Sequence, residues 1–187
     1  MKQEINRCVE VLKAGGTILN PTDTVWGIGC DATNADAVEK IYFLKKRMES
    51  RSLIILLDVA EKIPDYAGNI PEIAWDILKS VETPLTIIYP NAKNLAKNVI
   101  GTDHSIAIRI VKNEFCQALI AAFGKPIVST SANFSGERTP LTFKDIPAEI
   151  ISNVDYVVKH FREEIHYIKP SRIIKLEENG EFKIIRK

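Results

Sequence analysis

The residues of this chain best suited to chemistry are cations and hydroxyls. Lys45 and Arg47, in the run Lys45-Lys46-Arg47, set two basic groups near each other, with Arg51 a helical turn further on. Ser129-Thr130-Ser131-Ala132-Asn133-Phe134-Ser135-Gly136 follows directly on the apolar Pro126-Ile127-Val128 and offers hydroxyls, an amide and accessible backbone N–H groups. A phosphate fits such a cluster, although Ser, Thr and Asn equally suit helix caps and turns. Arg109 stands inside Ile106-Ala107-Ile108-Arg109-Ile110, where a buried guanidinium needs an anionic partner. A structural Asp or Glu is the commoner partner, and a substrate carboxylate is the other. In Asn20-Pro21-Thr22-Asp23-Thr24-Val25-Trp26-Gly27-Ile28-Gly29-Cys30-Asp31, Pro21 ends a strand, two hydroxyls flank an acid, and Gly27 and Gly29 permit close approach. This stretch reads as the floor of a ligand site.

Other chemistries lack their residues. The chain has no G-x-x-x-x-G-K-[ST] phosphate loop, no G-x-S-x-G, no H-E-x-x-H and no carboxylate pair suited to glycoside work. Gly27 to Ala32 matches G-x-G-x-x-A, but its helix signal starts late, at Thr33, and no strand-terminal acid follows at the required distance. Cys8, Cys30 and Cys116 have no metal-ligand spacing and read as small buried apolar residues in a reducing compartment. The formal net charge is +1, from 25 basic and 24 acidic residues, so any anion binding is local. With no signal-peptide core and no apolar span of membrane length, the expected location is cytoplasmic, with no membrane partner.

The elements that must position these groups follow from periodicity. Ile5, Cys8, Val9 and Leu12 make a helical stripe ended by Gly15-Gly16, and Thr17 to Leu19 reads as the first strand. Thr33 with Asp36 approximates a capping box for a helix whose buried face is Ala37, Val38, Ile41, Tyr42 and Leu44. That helix ends in Lys45, Lys46 and Arg47, which also suit a solvated, dipole-matched terminus. The apolar run Leu53 to Leu57 predicts a central strand covered on both faces. Helices are expected around Val59 to Tyr66, Glu72 to Val81, Phe115 to Phe123 and Phe143 to Ser152. Further strands are expected at Leu85 to Tyr89, Ser105 to Val111, from Pro126 on, and at Tyr156 to Val158. Arg172 to Leu176 and Phe182 to Ile185 form a hairpin turned at Asn179-Gly180. The polar loop before Ser105 is either a ligand cover or a surface excursion. With 187 residues and no linker or repeat, the chain reads as a single α/β domain, 1–187, with a twisted mixed sheet and flanking helices.

Four motifs in this order, Asn20 to Cys30, Lys45-Lys46-Arg47, Ser105 to Ile110 and Pro126 to Asn133, resemble those of the YrdC/TsaC family of threonylcarbamoyl-AMP synthases. The resemblance runs from about Gly15 to Ile174 and implies a YrdC-like fold with a concave basic cleft. It implies a nucleotidyltransferase that turns L-threonine, bicarbonate and ATP into threonylcarbamoyl-AMP and pyrophosphate, with Mg2+, for the threonylcarbamoyladenosine of tRNA. It places Lys45, Arg47, Ser131, Asn133 and Ser171 on ATP, with Lys45 and Arg47 catalytic, and Thr22 and Arg109 on threonine. No residue is implied as a metal ligand. A downstream threonylcarbamoyltransferase and contact with tRNA or double-stranded RNA belong to the same picture.

Some positions depart from the pattern. Met48 stands for a common proline, Arg51-Ser52 for Asn-Pro, Val81-Glu82-Thr83 for Trp-Pro-Gly, and Leu56 for a histidine of some relatives. They leave open a diverged, non-catalytic paralogue that binds RNA through Lys45, Lys46, Arg47 and Arg51. The related domain of hydrogenase-maturation carbamoyltransferases is a further alternative, but the zinc-finger and acylphosphatase-like segments of those proteins are missing from this sequence. The chain resembles the short bacterial form. In the implied reaction a carboxylate attacks a triphosphate, so fixed cations must offset the repulsion between two anions. Arg47→Ala or Lys45→Ala is therefore expected to lower turnover by about two to three orders of magnitude with the fold retained, and near-normal turnover would remove those residues from the mechanism.

Overall fold

The computed structural model describes residues 1–46, 53–163, 170–177 and 179–187. Its strands are β1 (Ile18–Asn20), β2 (Gly27–Asp31), β3 (Ile54–Leu57), β4 (Leu85–Tyr89), β5 (Ile106–Ile110), β6 (Ile127–Ser131), β7 (Tyr156–Val157), β8 (Arg172–Leu176) and β9 (Phe182–Arg186). They join in one mixed sheet of order β7-β1-β2-β6-β3-β5-β4-β8-β9. The pairs β1 with β7, β3 with β5 and β4 with β8 are parallel, and the others are antiparallel. The helices are α1 (Lys2–Lys13), α2 (Ala35–Leu44), α3 (Ile63–Tyr66), α4 (Glu72–Ser80), α5 (Glu114–Phe123) and α6 (Ala148–Asn153). Helices α1 and α5 pack on each other and against β1, β2 and β3. Among the described residues no helix is long and apolar enough to cross a membrane.

Register separates the chemistry from the core. Residues directly opposite each other in a sheet share a face, and a step of one residue changes face. Cys30, Val128, Ile55, Ile108, Ile87, Ile174 and Ile184 are successive cross-strand partners and form an apolar row from β2 to β9. All but the edge residue Ile184 are buried. One residue away, on the other face, the row reads Asp31, Ile127, Leu56, Arg109, Thr86, Ile173 and Arg186. Polar groups thus enter this second face without disturbing the apolar one.

The central strand at Leu53 to Leu57 is β3, fifth in the sheet order, but it is not sealed on both sides. Ile54 is half-buried and lines a cleft, so the apolar run there forms a site wall as well as core. The glycine-rich floor is itself a strand, β2, and its second glycine lies mid-strand instead of opening a helix, which removes the dinucleotide reading. The cap of α2 is Asn34, not Thr33: the Asn34 side chain accepts from the Asp36 and Ala37 N–H groups, while Thr33 turns back to Asp31. The expected helix at Phe143 to Ser152 is divided, because Pro147 caps α6 after a short 3-10 turn at Phe143–Asp145. The loop before β5 is a surface excursion packed on α2 and its approach, with Asn98 donating to the Ala35 carbonyl and the Ala96 N–H to Ala32. None of it lines the cleft.

Gly29 is required by packing between β2 and β6. A Cβ there would stand 2.9 Å from the Val128 carbonyl oxygen and 2.9 Å from Ile127 Cγ2, and the backbone oxygen cannot move aside without breaking the ladder. Gly29→Ala is expected to destabilise the fold by about 1–3 kcal/mol in denaturant titration, the usual cost of overpacking. An unchanged midpoint would contradict this account of the strand contact.

Candidate functional site

A cleft of about 240 Å³ opens on the polar face of the sheet. Its walls include Thr22 and Thr24 from the β1–β2 loop, Arg109 from β5, Ser131 from β6, and Ser171 and Arg186 from the carboxy-terminal hairpin. These residues are far apart in sequence and meet because β2, β6, β3, β5, β4, β8 and β9 lie side by side in this order.

Arg109 is the buried charge of the cleft, at 3% exposure. Its NH2 lies 3.1 Å from Asp23 Oδ1 in an ion pair, and its NH1 donates to Thr24 Oγ1 at 3.2 Å. The Asp23 contact is one of charge, since that oxygen makes no aligned hydrogen bond among the described residues. Burial pulls the guanidinium below its ordinary pKa, and Asp23 opposes the shift. Asp23 is fixed in turn by the Lys112 backbone N–H, which donates to Oδ2 at 3.2 Å. A structural partner therefore exists, as the burial argument expects. The partnering is incomplete, however, because Arg109 Nε is buried with no hydrogen-bond acceptor among the described residues. Thr22 takes part through the same network. Its hydroxyl donates to the Val25 carbonyl at 2.7 Å and lies 3.0 Å from Thr24 Oγ1, so it holds the loop that holds Arg109.

Lys45 does not form a solvated helix end. It is the C-cap of α2, 2% exposed, and its Nζ donates to the Ser131 carbonyl and, at 2.6 Å, to the Asn133 carbonyl. The Ser135 N–H donates back to the Lys45 carbonyl at 3.0 Å, so the end of α2 and the exit of β6 are tied in both directions. Lys45→Ala would leave two carbonyls under-satisfied, and the expectation of an unchanged fold is corrected for this residue. Lys46 adopts a positive φ of 50° and is exposed, 3.2 Å from Glu149. Arg47, Met48, Arg51, Ser52 and Lys169 lie outside the described residues. Asn133 closes the turn after β6, its Nδ2 donating to the Phe134 and Glu137 carbonyls at 2.8 and 2.9 Å. Its Oδ1 is buried without a partner among the described residues.

The sequence reading missed Arg186. Its Nε donates to the Ser171 carbonyl at 2.9 Å and its NH2 to Ser171 Oγ at 3.3 Å, and Ser171 Oγ lies 2.8 Å from Thr86 Oγ1. A register shift between Ile173 and Ile174 inserts one extra residue in β9, so Arg186 pairs with Ile173 although Ile184 pairs with Ile174. The bulge reverses the alternation and turns Arg186 to the cleft. Arg186 is exposed as a residue, and partial desolvation of its guanidinium, with the nearby charge of Arg109, pulls its pKa below the ordinary value. Thus Thr22, Arg109, Ser131 and Ser171 line one cleft, Lys45 and Asn133 support its β6 edge, and a second arginine joins them.

Of the departures, Val81 and Glu82 lie outside the cleft, with their carbonyls accepting from Lys112 Nζ at 2.8 and 2.9 Å. Leu56 is Arg109's buried neighbour on β3.

Known proteins share this fold. Residues 10–187 match the Sua5_yciO_yrdC family model, described as Telomere recombination. The chain is 34% identical over 157 residues to the threonylcarbamoyl-AMP synthase of Pseudoalteromonas translucida, covering 82% of this chain and 84% of that protein. It is 36% identical over 153 residues to the enzyme of the same name from Hahella chejuensis, covering 81% and 83%. Among solved structures, P. abyssi Sua5 complexed with L-threonine superposes with a TM-score of 0.87 at 26% identity, over 94% of this chain and 52% of that one. The chain thus spans about half the length of that Sua5. E. coli YciO, at 23% identity, shares the fold with a TM-score of 0.86 over 100% of this chain and 90% of its own. The chain belongs to the Sua5/YciO/YrdC family.

Proposed function

We propose that the protein is a threonylcarbamoyl-AMP synthase, a nucleotidyltransferase that consumes L-threonine, bicarbonate and ATP and releases pyrophosphate in the pathway to tRNA threonylcarbamoyladenosine. The observation that carries this reading is the convergence of the buried Arg109 guanidinium, whose Nε–H has no acceptor among the described residues, with hydroxyls and a second guanidinium on one cleft. An amino-acid carboxylate satisfies that donor, and a charge-assisted bond in a dry site is among the stronger polar contacts. The relatives named for this activity, and a Sua5 complexed with L-threonine, support the same reading.

In this proposal Arg109 binds the threonine carboxylate, and Thr22 shapes the pocket by fixing the loop around Asp23 and Thr24. Ser131 and Ser171 offer hydroxyls to ATP from opposite sides of the cleft. Lys45 places its charge beneath the Ser131–Asn133 segment, Asn133 shapes the turn that follows, and Arg47 adds a cation next to α2 in sequence. Threonine's amine and bicarbonate give an N-carboxylated amine as an N–C bond forms and a C–O bond breaks with loss of water, and a carboxylate oxygen of the adduct attacks the α-phosphorus while pyrophosphate leaves. The cations act by holding anions in place and offsetting their repulsion. Among the described residues no cluster of three or more acids, histidines or cysteines could cage a metal, and Asp23 beside the cleft is engaged by Arg109. Mg2+ in this proposal would come with the ATP phosphates and needs one or two protein carboxylates at most.

The RNA-binding alternative draws less support. Lys45 is buried under β6, Lys46 is paired with Glu149, and the net charge is +1. A downstream transferase would take the adenylate. The test is to incubate purified protein with ATP, bicarbonate and radiolabelled L-threonine. Labelled adenylate with matching pyrophosphate is the expected result, and salt-sensitive RNA binding without threonine-dependent pyrophosphate would overturn the proposal.

A further inference from the structure

We infer that the Cys116 thiol and the Asn20 amide are positioning residues of the amino-acid pocket: they hold the Pro21 carbonyl, fix the root of the β1–β2 loop against β5, and so set the attitude of Arg109. The inference rests on the function proposed above and concerns how that site is held ready for threonine.

Two stretches far apart in sequence lie along one another beside the cleft. One is 20–24, which leaves β1 and carries Thr22, Asp23 and Thr24; the other is 109–116, which runs from β5 into the first turn of α5. At the tip of the loop, Arg109 reaches Asp23 and Thr24, and the Lys112 N–H donates to Asp23 Oδ2. At its root, Cys116 Sγ donates to the Pro21 carbonyl at 3.1 Å and Asn20 Nδ2 to the same oxygen at 2.9 Å. Asn20 Nδ2 also lies 3.5 Å from Cys116 Sγ, so the amide, the thiol and the carbonyl form one buried polar knot. The thiol is placed in turn by the start of α5, where the Cys116 N–H donates to the Asn113 side chain at 3.0 Å.

Pro21 makes these donors necessary. It is buried, has no N–H with which to continue the ladder, and its carbonyl receives no backbone N–H among the described residues. A buried carbonyl has to be hydrogen-bonded, and here side chains reach it. Burial pushes the Cys116 thiol up to about 12, and the Asp23 charge adds to the shift, so the thiol keeps its proton at neutral pH and can donate. Cys116 thus does more than fill space, the role its isolated place in the sequence suggests. It joins the connection that follows Arg109 to the root of the loop whose tip carries the acceptors of Arg109. With the root released the loop is held at its tip alone, and the guanidinium loses the fixed geometry that orients a substrate.

The test reads the Arg109 Nε–H resonance in the ligand-free protein, L-threonine and ATP affinity by calorimetry, and thermal unfolding, on the wild type, Cys116→Ala, Cys116→Ser and Asn20→Leu. Cys116→Ala and Asn20→Leu each remove a donor, whereas Cys116→Ser keeps one. Each removal is expected to shift the Arg109 resonance and weaken L-threonine binding by about tenfold, the worth of one hydrogen bond, with ATP affinity changed by less than about twofold. Cys116→Ser should restore the resonance and bring L-threonine affinity to within about threefold of the wild type. An Arg109 resonance unmoved by either removal, equal losses in Cys116→Ala and Cys116→Ser, or parallel losses of both ligands would mark a packing role and overturn the inference. Should Cys116→Ala fail to fold, Asn20→Leu decides by the same readings. A wild type that binds ATP but not L-threonine would overturn the proposed function instead, and the resonance alone would then decide whether Cys116 and Asn20 position Arg109.

Discussion

A guanidinium in the middle of a sheet has to find acceptors, and this molecule is arranged around that requirement. Arg109 is placed among isoleucines on β5 and cannot reach bulk water. It draws in Asp23 and Thr24, so the β1–β2 loop is pinned across the cleft to a strand four places from β1 in the sheet. Removing one partner of a buried pair of this kind costs about 3–5 kcal/mol, because the remaining charge is stranded. The loop that shapes the amino-acid pocket is therefore held by the same contact that makes Arg109 tolerable. Its Nε–H, left without an acceptor among the described residues, is a standing desolvation cost that a bound carboxylate would relieve.

Lys45 repeats the principle at the other edge. Its ammonium group is surrounded by backbone carbonyls from the end of β6, which anchors the Ser131–Asn133 segment to the terminus of α2. Two cations placed by two elements thus fix the irregular segments on either side of the cleft. The apolar face of the sheet can then be packed for stability alone, since the alternation of side chains keeps the two tasks on separate faces.

Much of this was legible in the chain. Apolar runs located β3, β4 and β5, and Asn179-Gly180 marked the β8–β9 hairpin, where Gly180 adopts a φ of 84°. The dilemma of Arg109 was readable because burial and charge conflict within a few letters. Asp23 could not be singled out as its partner, because pairing β5 with a loop 86 residues away is a product of sheet order. β2 escaped because glycine and aspartate are poor strand formers, and its strand character comes from pairing with β1 and β6. Arg186 escaped for a different reason. Strict alternation places it on the side of Phe182 and Ile184, and only the inserted residue of β9 reverses it. Lys45 looked like an ordinary basic helix end because nothing local foretells two carbonyls arriving from β6.

The central claim is that the donor left open on Arg109 is where the amino-acid carboxylate binds. Arginine side-chain N–H spectroscopy addresses it directly, with the Nε–H signal of Arg109 assigned by its loss in Arg109→Lys. The account predicts that this signal shifts and gains exchange protection on adding L-threonine, and does neither with L-threoninamide, which lacks the carboxylate. Equal responses to both compounds, or no response to L-threonine while it binds elsewhere, would contradict it.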